Sequence, residues 1–223
     1  RGADTGSIRG CVVGDLYGTL LANLPGYEPK VVLDIGANVG GFILLLAAKY
    51  GTDAIERLVC VEMNPSTYER LRFNVKVNFG DRSEALLAAV CAKKREIRVR
   101  LGHGTTSDSI YRDTRLEGNS CERTIQGMSL DDVVAAHVPE QFIDICKIDV
   151  EGAEDEILTA AGSENRSLDR VRNLLIEIHP ADRSKAIVRA LEARGFVRIG
   201  GGNGVAMCGV HLFRNDKVEA ARV

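Results

Sequence analysis

Short apolar runs alternate along this chain with segments of helical pattern, and that alternation leaves few folds open. Val31–Ile35, Arg57–Glu62, Ala85–Val90, Phe142–Val150 and Val171–Ile178 read as strands. A strand buried on both faces reads as a near-continuous apolar run, whereas a half-exposed one alternates. Gly40–Tyr50, Pro65–Asn78, Ala153–Ala161 and Asp182–Arg194 read as helices, with Pro65 suited to a first turn and Gly51, Gly162 and Gly195 as stops. Parallel neighbours need a crossover of about a dozen residues or more, so repeated strand–helix units build a mostly parallel sheet with helices on both faces. Phe196–Ile199 and Met207–Phe213 are joined only by Gly200–Gly204, enough for a hairpin but not for a crossover helix. The expected fold class is therefore α/β with an antiparallel C-terminal hairpin strand.

The 223 residues suit one such domain. Residues 1–30 read as an N-terminal cap segment, 31–214 as the domain and 215–223 as a tail. Glu96–Leu101 is an extended piece, residues 102–127 form a long polar irregular segment, and Met128–Ala136 reads as a short helix capped by Ser129.

Net charge is −2, which gives no electrostatic case for a nucleic-acid surface or an anionic membrane. The cluster of Lys93, Lys94, Arg95, Arg98 and Arg100 reads as a solvated strand face. No apolar run approaches the roughly 20 residues of a membrane helix, and no signal peptide is visible. The six cysteines are scattered, with no C-x-x-C pair, and read as reduced thiols of a cytoplasmic protein.

Asp34-Ile-Gly36-Ala-Asn38-Val-Gly40-Gly41 sits where the first strand gives way to a helix. Glycines there allow a tight turn and a close approach of the backbone to a ligand. The spacing differs from the G-x-G-x-x-G of pyrophosphate cofactors, which disfavours a nicotinamide dehydrogenase. It suits a phosphate-free cofactor whose ammonium or ribose meets a carboxylate. Glu62 ends the second strand, where an acidic side chain is placed to accept ribose hydroxyls. The bland alternatives are a structural turn for the glycines and a helix-dipole contact for Glu62.

Lys147-Ile-Asp149-Val-Glu151-Gly152-Ala-Glu154 follows the most apolar strand and brings Asp149 and Glu151 to the same carboxyl edge. Alternation aims those two to one side and Val150 to the other. Lys147 reads as pairing with a neighbour, and Glu154 and Glu156 read as facing solvent on the next helix. Glu177 and His179 alternate at the end of the fifth strand.

With these motifs assembled, the sequence resembles the FkbM family of methyltransferases. The matching pieces are Val32–Gly40, Val61–Pro65, Ser129–Asp132, Lys147–Glu154 and Leu175–His179, in order and spacing from about residue 28 to 213. The resemblance implies a Rossmann-like seven-stranded sheet with an antiparallel last strand. It implies S-adenosylmethionine as cofactor and O-methylation of a small-molecule or carbohydrate hydroxyl. By analogy Asp34, Gly36, Asn38 and Gly40 line the cofactor's amino-acid end and Glu62 its ribose. Met63, Val90 and Cys91 then lie near the adenine.

Methyl transfer to a hydroxyl also needs a base, and the candidates are Asp149, Glu177 and His179, with Glu151 beside them. His179 has the intrinsic pKa of a base near neutrality. A divalent metal held by these groups is possible but not favoured, and no metal ligand is assigned. A nucleic-acid or protein methyltransferase, or a non-catalytic cofactor-binding module, are the competing readings. No oligomeric state is implied.

Overall fold

The computed structural model describes residues 8–13, 17–24, 26, 28–101, 110, 121–139, 141–159, 164–179, 181–202 and 209–220. Its strands are β1 (Val31–Ile35), β2 (Arg57–Glu62), β3 (Ser83–Leu87), β4 (Ala89–Val90), β5 (Arg95–Leu101), β6 (Cys121–Met128), β7 (Ile143–Ile148), β8 (Val171–Ile178), β9 (Phe196–Gly201) and β10 (Gly209–Asn215). Its helices are α1 (8–12), α2 (Gly18–Leu21), α3 (Gly41–Tyr50), α4 (Pro65–Phe79), α5 (Leu130–His137), α6 (Glu154–Thr159), α7 (Ser184–Arg194) and α8 (Asp216–Ala220).

Seven strands form one sheet in the order β3-β2-β1-β7-β8-β10-β9. β10 runs antiparallel to both its neighbours, and every other pairing in the sheet is parallel. The α/β class and the antiparallel terminal hairpin are thus as expected. After β1 the chain winds outward through β2 and β3, then returns to place β7 on the other side of β1. That reversal opens a crevice at the carboxyl ends of β1 and β7, where ligands bind in open α/β sheets.

Alternation along the buried strands splits the core in two. Leu33, Ile35, Val61, Cys146 and Ile148 pack under α5, α6 and α7. Val32, Leu58, Ile145 and Leu175 pack on the other face, under α2, α3 and α4. The caps follow local chemistry: Asn64 accepts the Ser66 and Thr67 amides ahead of Pro65, and Ser129 and Asp132 form a reciprocal capping box at α5.

The structure corrects the reading in several places. Residues 121–127 are not irregular: they belong to β6, which pairs antiparallel with β5 and parallel with β4 in a second, three-stranded sheet. Glu122, Arg123, Thr124 and Gln126 are exposed and only Ile125 and Gly127 are buried, so the strand lacks the apolar run that marks a buried one. The expected strand Ala85–Val90 breaks at Ala88, and β4 joins the smaller sheet. The fourth long strand stops at Ile148, so Asp149–Glu151 form a turn. Residues 102–109 and 111–120 of the polar segment lie outside the described residues. Part of the expected tail is helical, as α8. Among the described residues no helix is long and apolar enough to cross a membrane, and Cys11, Cys60, Cys91, Cys121 and Cys146 are free thiols.

Candidate functional site

A cavity of about 470 Å³ opens at the carboxyl ends of β1, β2, β7 and β8. The loop after β1 forms its floor through Gly36, Ala37 and Asn38. Gly36 has φ +75°, and a Cβ there would lie 1.7 Å from the carbonyl oxygen of Asp149. Glycine is therefore required by backbone packing across the switch point, whatever the ligand. Gly40, the N-cap of α3 at φ 91°, turns the chain into that helix and does not itself line the cavity.

Glu62 stands at the end of β2 with its carboxylate fixed from two sides. The Asn38 amide donates to Oε2 at 2.9 Å and the Asn64 amide to Oε1 at 2.8 Å. Beyond it the wall is apolar: Met63, Ala88, Ala89, Val90 and Ile110. Cys91 lies behind that wall, in the core of the small sheet, with its thiol donating to the Lys93 carbonyl.

The opposite end is charged. In register, Asp34 of β1 sits beside Lys147 of β7, and registered neighbours in a parallel pair point to the same face. Lys147 Nζ lies 3.3 Å from Asp34 Oδ1 and 3.4 Å from Asp149 Oδ2, and it donates to the Gly36 carbonyl at 3.0 Å. Asp34 is fully buried and stands behind the loop rather than in the cavity. Burial holds its carboxyl above the usual range, and the Lys147 ammonium pulls it part of the way back. Burial opposes the charge on Lys147, but Asp34 and Asp149 outweigh it and keep the ammonium protonated.

Tyr17, from the segment read as a cap, is 2% exposed and donates from its hydroxyl to Asp149 Oδ2 at 3.3 Å. Its ring packs edge-on against Phe42 and lies 5.9 Å from Lys147 Nζ. Cys11 also lines this end, its thiol pushed up to about 11 by burial.

Glu177 lines the cavity next to Asp149. Burial, and then the negative charge of Asp149, raise its carboxyl above the ordinary range. His179 stands further out. Its Nδ1 lies 2.9 Å from Oε1 of Glu154, and its Nε2 lies 3.5 Å from Glu151 and 3.8 Å from Glu177. The hydrogen bond to Glu154 outweighs desolvation and lifts the imidazole to about 9. That shift favours the protonated ring near neutral pH, the form that donates hydrogen bonds. Ligand atoms of Asp149, Glu177 and His179 all lie within 4.8 Å of one another, a spacing that also admits a metal ion.

Two expectations fail here. Glu154 is 0% exposed, not solvent-facing, because its carboxylate turns inward to accept the Val150 and Gly152 amides at 3.3 Å each. Glu156 is largely covered, pairing with Arg95 of β5 at 2.7 Å and accepting the Ala92 amide. Nor do Asp149 and Val150 part to opposite sides, because both line the cavity from a turn. Lys147 was legible as a partner in search of an acid, since a charge inside a strand buried on both faces must be paired. Tyr17 and Cys11 carry no local signal, and only folding back of the N-terminal segment brings them in.

A family model described as the methyltransferase FkbM domain matches residues 34–198. The chain belongs to the FkbM methyltransferase family. Methyltransferase sdnD of Sordaria araneosa is 27% identical over 212 residues, covering 79% of this chain and 76% of that protein. The FkbM methyltransferase structure from Methylobacillus flagellatus superposes with TM-score 0.60 at 15% identity, over 91% of this chain. This chain spans about half of that one, 48%. Sp1610 of Streptococcus pneumoniae gives TM-score 0.51 at 12% identity, over 89% of this chain and 69% of its own. In this FkbM methyltransferase, Gly36, Asn38, Glu62, Met63, Val90, Asp149 and Glu177 converge on one cavity, while Asp34, Gly40, Cys91 and His179 support it from behind or beside.

Proposed function

We propose that this FkbM methyltransferase uses S-adenosylmethionine to methylate a hydroxyl group of a small molecule or sugar. The observation that carries the reading is the Glu62 carboxylate, clamped by two backbone amides and open to the cavity. A carboxylate so held is suited to accept both hydroxyls of a ribose.

The residues present fit that cofactor. The apolar wall from Met63 to Val90 and Ile110 suits an adenine, and the Gly36–Asn38 loop lets a ligand lie against the backbone. The Lys147 cation that lines the cavity is already shared by Asp34 and Asp149. Asp149 and Glu177 put negative charge at the far end, beside where a sulfonium would lie.

When bound, the cofactor supplies an electrophilic methyl, so the protein's task is alignment and removal of one proton. Asp149, fixed by Tyr17 and Lys147, orients the acceptor hydroxyl. Glu177, with its raised affinity for protons, takes the hydroxyl proton as the oxygen attacks. His179 is cationic and serves neither task directly.

Calorimetric titration with S-adenosylhomocysteine tests the cofactor. Glu62→Ala is expected to weaken binding about 100-fold or more, because two hydrogen bonds to a charged acceptor are worth about 1.5–3 kcal/mol each. An unchanged affinity in a folded variant refutes the ribose assignment. A screen of polyols, sugars and phenols for a mass gain of one methylene tests the acceptor class. Cofactor binding with no turnover on any pool favours the non-catalytic module, and methyl transfer to RNA or protein alone favours the competing enzyme classes.

A further inference from the structure

The mechanism leaves unused a fully buried carboxylate beside the site. Glu154 opens α6 yet is 0% exposed. Its Oε1 accepts the Val150 amide, the Gly152 amide and the His179 Nδ1. The backbone it holds is unusual: Glu151 has φ 54° and Gly152 has φ 110°, so two successive residues lie in the left-handed region. A non-glycine residue there persists only when its surroundings over-determine it. The same turn carries Asp149, whose carbonyl meets Gly36 and whose carboxylate faces the cavity.

We propose that Glu154 and His179 form an ionic clamp that fixes the 149–152 turn, and that His179 acts in the reaction as a positioning cation rather than as its base. Glu154 is a peg inside the turn, and His179 pins the peg from the end of β8. The clamp therefore ties the carboxyl edge of β7 to that of β8 and sets Asp149 at a fixed place relative to Glu177. A buried carboxylate with one cationic partner cannot lose that partner cheaply, which explains why the ring keeps its proton. The groups facing His179 are Glu151 from the turn, Glu154 from α6, Glu177 from its own strand and Asp149 across the cluster. All are acidic, so each reinforces the cation. The roles of Asp149 and Glu177 rest on the proposed function, whereas the clamp does not.

The test uses the full chain, isotopically labelled, as wild type, Glu154→Gln and His179→Gln. Nitrogen chemical shifts of the His179 ring are followed from pH 5 to 10. The expected result is an imidazolium at pH 7.5 in the wild type and a titration moved down by at least one pH unit in Glu154→Gln. Amide exchange of Val150 and Gly152 is expected to speed up at least tenfold in both variants. Ordinary titration of His179 near neutrality, or unchanged exchange in Glu154→Gln, overturns the clamp. The wild-type titration alone decides if a variant fails to fold. With an acceptor in hand, His179→Gln is expected to lower kcat while keeping the acid limb of the pH–rate profile. Loss of that limb would make His179 the base. None of the exchange or titration results needs the cofactor, so a clamp confirmed without S-adenosylhomocysteine binding refutes the proposed cofactor alone.

Discussion

Lys147→Met isolates the charge arrangement beneath the site. Among the described residues neither carboxylate oxygen of Asp34 has a hydrogen-bond partner beyond the Lys147 ammonium, 3.3 Å away in a fully buried setting. Methionine fills much the same space but leaves Asp34 as an uncompensated buried charge. Breaking a buried pair by removing one partner costs about 3–5 kcal/mol. For a chain of this size that corresponds to a fall in Tm of about 6–20 °C. The loss has a pH signature. Burial already raises the Asp34 carboxyl, and without Lys147 it rises further. A group whose folded pKa lies above its unfolded value stabilises below the unfolded value and loses that contribution as pH rises through the folded one. The deficit of Lys147→Met is therefore expected to be smaller at pH 5 than at pH 8. Asp34→Asn/Lys147→Met is expected to recover most of it. Urea denaturation of the three proteins at both pH values is the assay. A deficit under about 1 kcal/mol, or one equal at the two pH values, refutes the account of the pair.

Other outcomes follow from the same geometry. Gly36→Ala must carry both a left-handed backbone, about 1–2 kcal/mol, and a Cβ 1.7 Å from the Asp149 carbonyl oxygen. It is expected to lower Tm and to abolish S-adenosylhomocysteine binding, and wild-type values in both measurements refute the close approach. Glu177→Gln is expected to lower kcat by about 10²–10⁴ while leaving S-adenosylhomocysteine affinity near that of the wild type, and an unchanged kcat removes Glu177 from the chemistry. His179 is lifted from 6.5 to about 9 on folding, so its contribution to stability is complete below pH 6.5 and lost as pH rises to about 9. Thermal melts across that window are expected to show wild-type Tm falling more than that of His179→Gln.

Much of the sheet was legible because burial on both faces writes itself as continuous apolar sequence, as in residues 58–61 of β2. β6 was not, because a strand with one solvent face needs only Ile125 and Gly127 on the other. The site was partly legible. Glu62 and Asp149 stand at strand ends, where a local pattern predicts a shared rim. Tyr17 reaches Asp149 across 132 positions in sequence, with nothing nearby to announce it. Glu154 was misread because its helix begins one residue after an abrupt left-handed turn, and that turn, not helical periodicity, points the side chain inward.

By itself the sequence determined the strand–helix alternation, the glycine bend after β1 and the acidic residues at the strand ends. These depend on hydrophobic period and backbone sterics, which are local. Register and long-range packing decided the rest: that Lys147 lies between Asp34 and Asp149, that Tyr17 closes the charged end, and that the Glu154 carboxylate meets the His179 ring. Protonation states depend on distances between groups far apart in the chain, and those distances exist only once the sheet has formed.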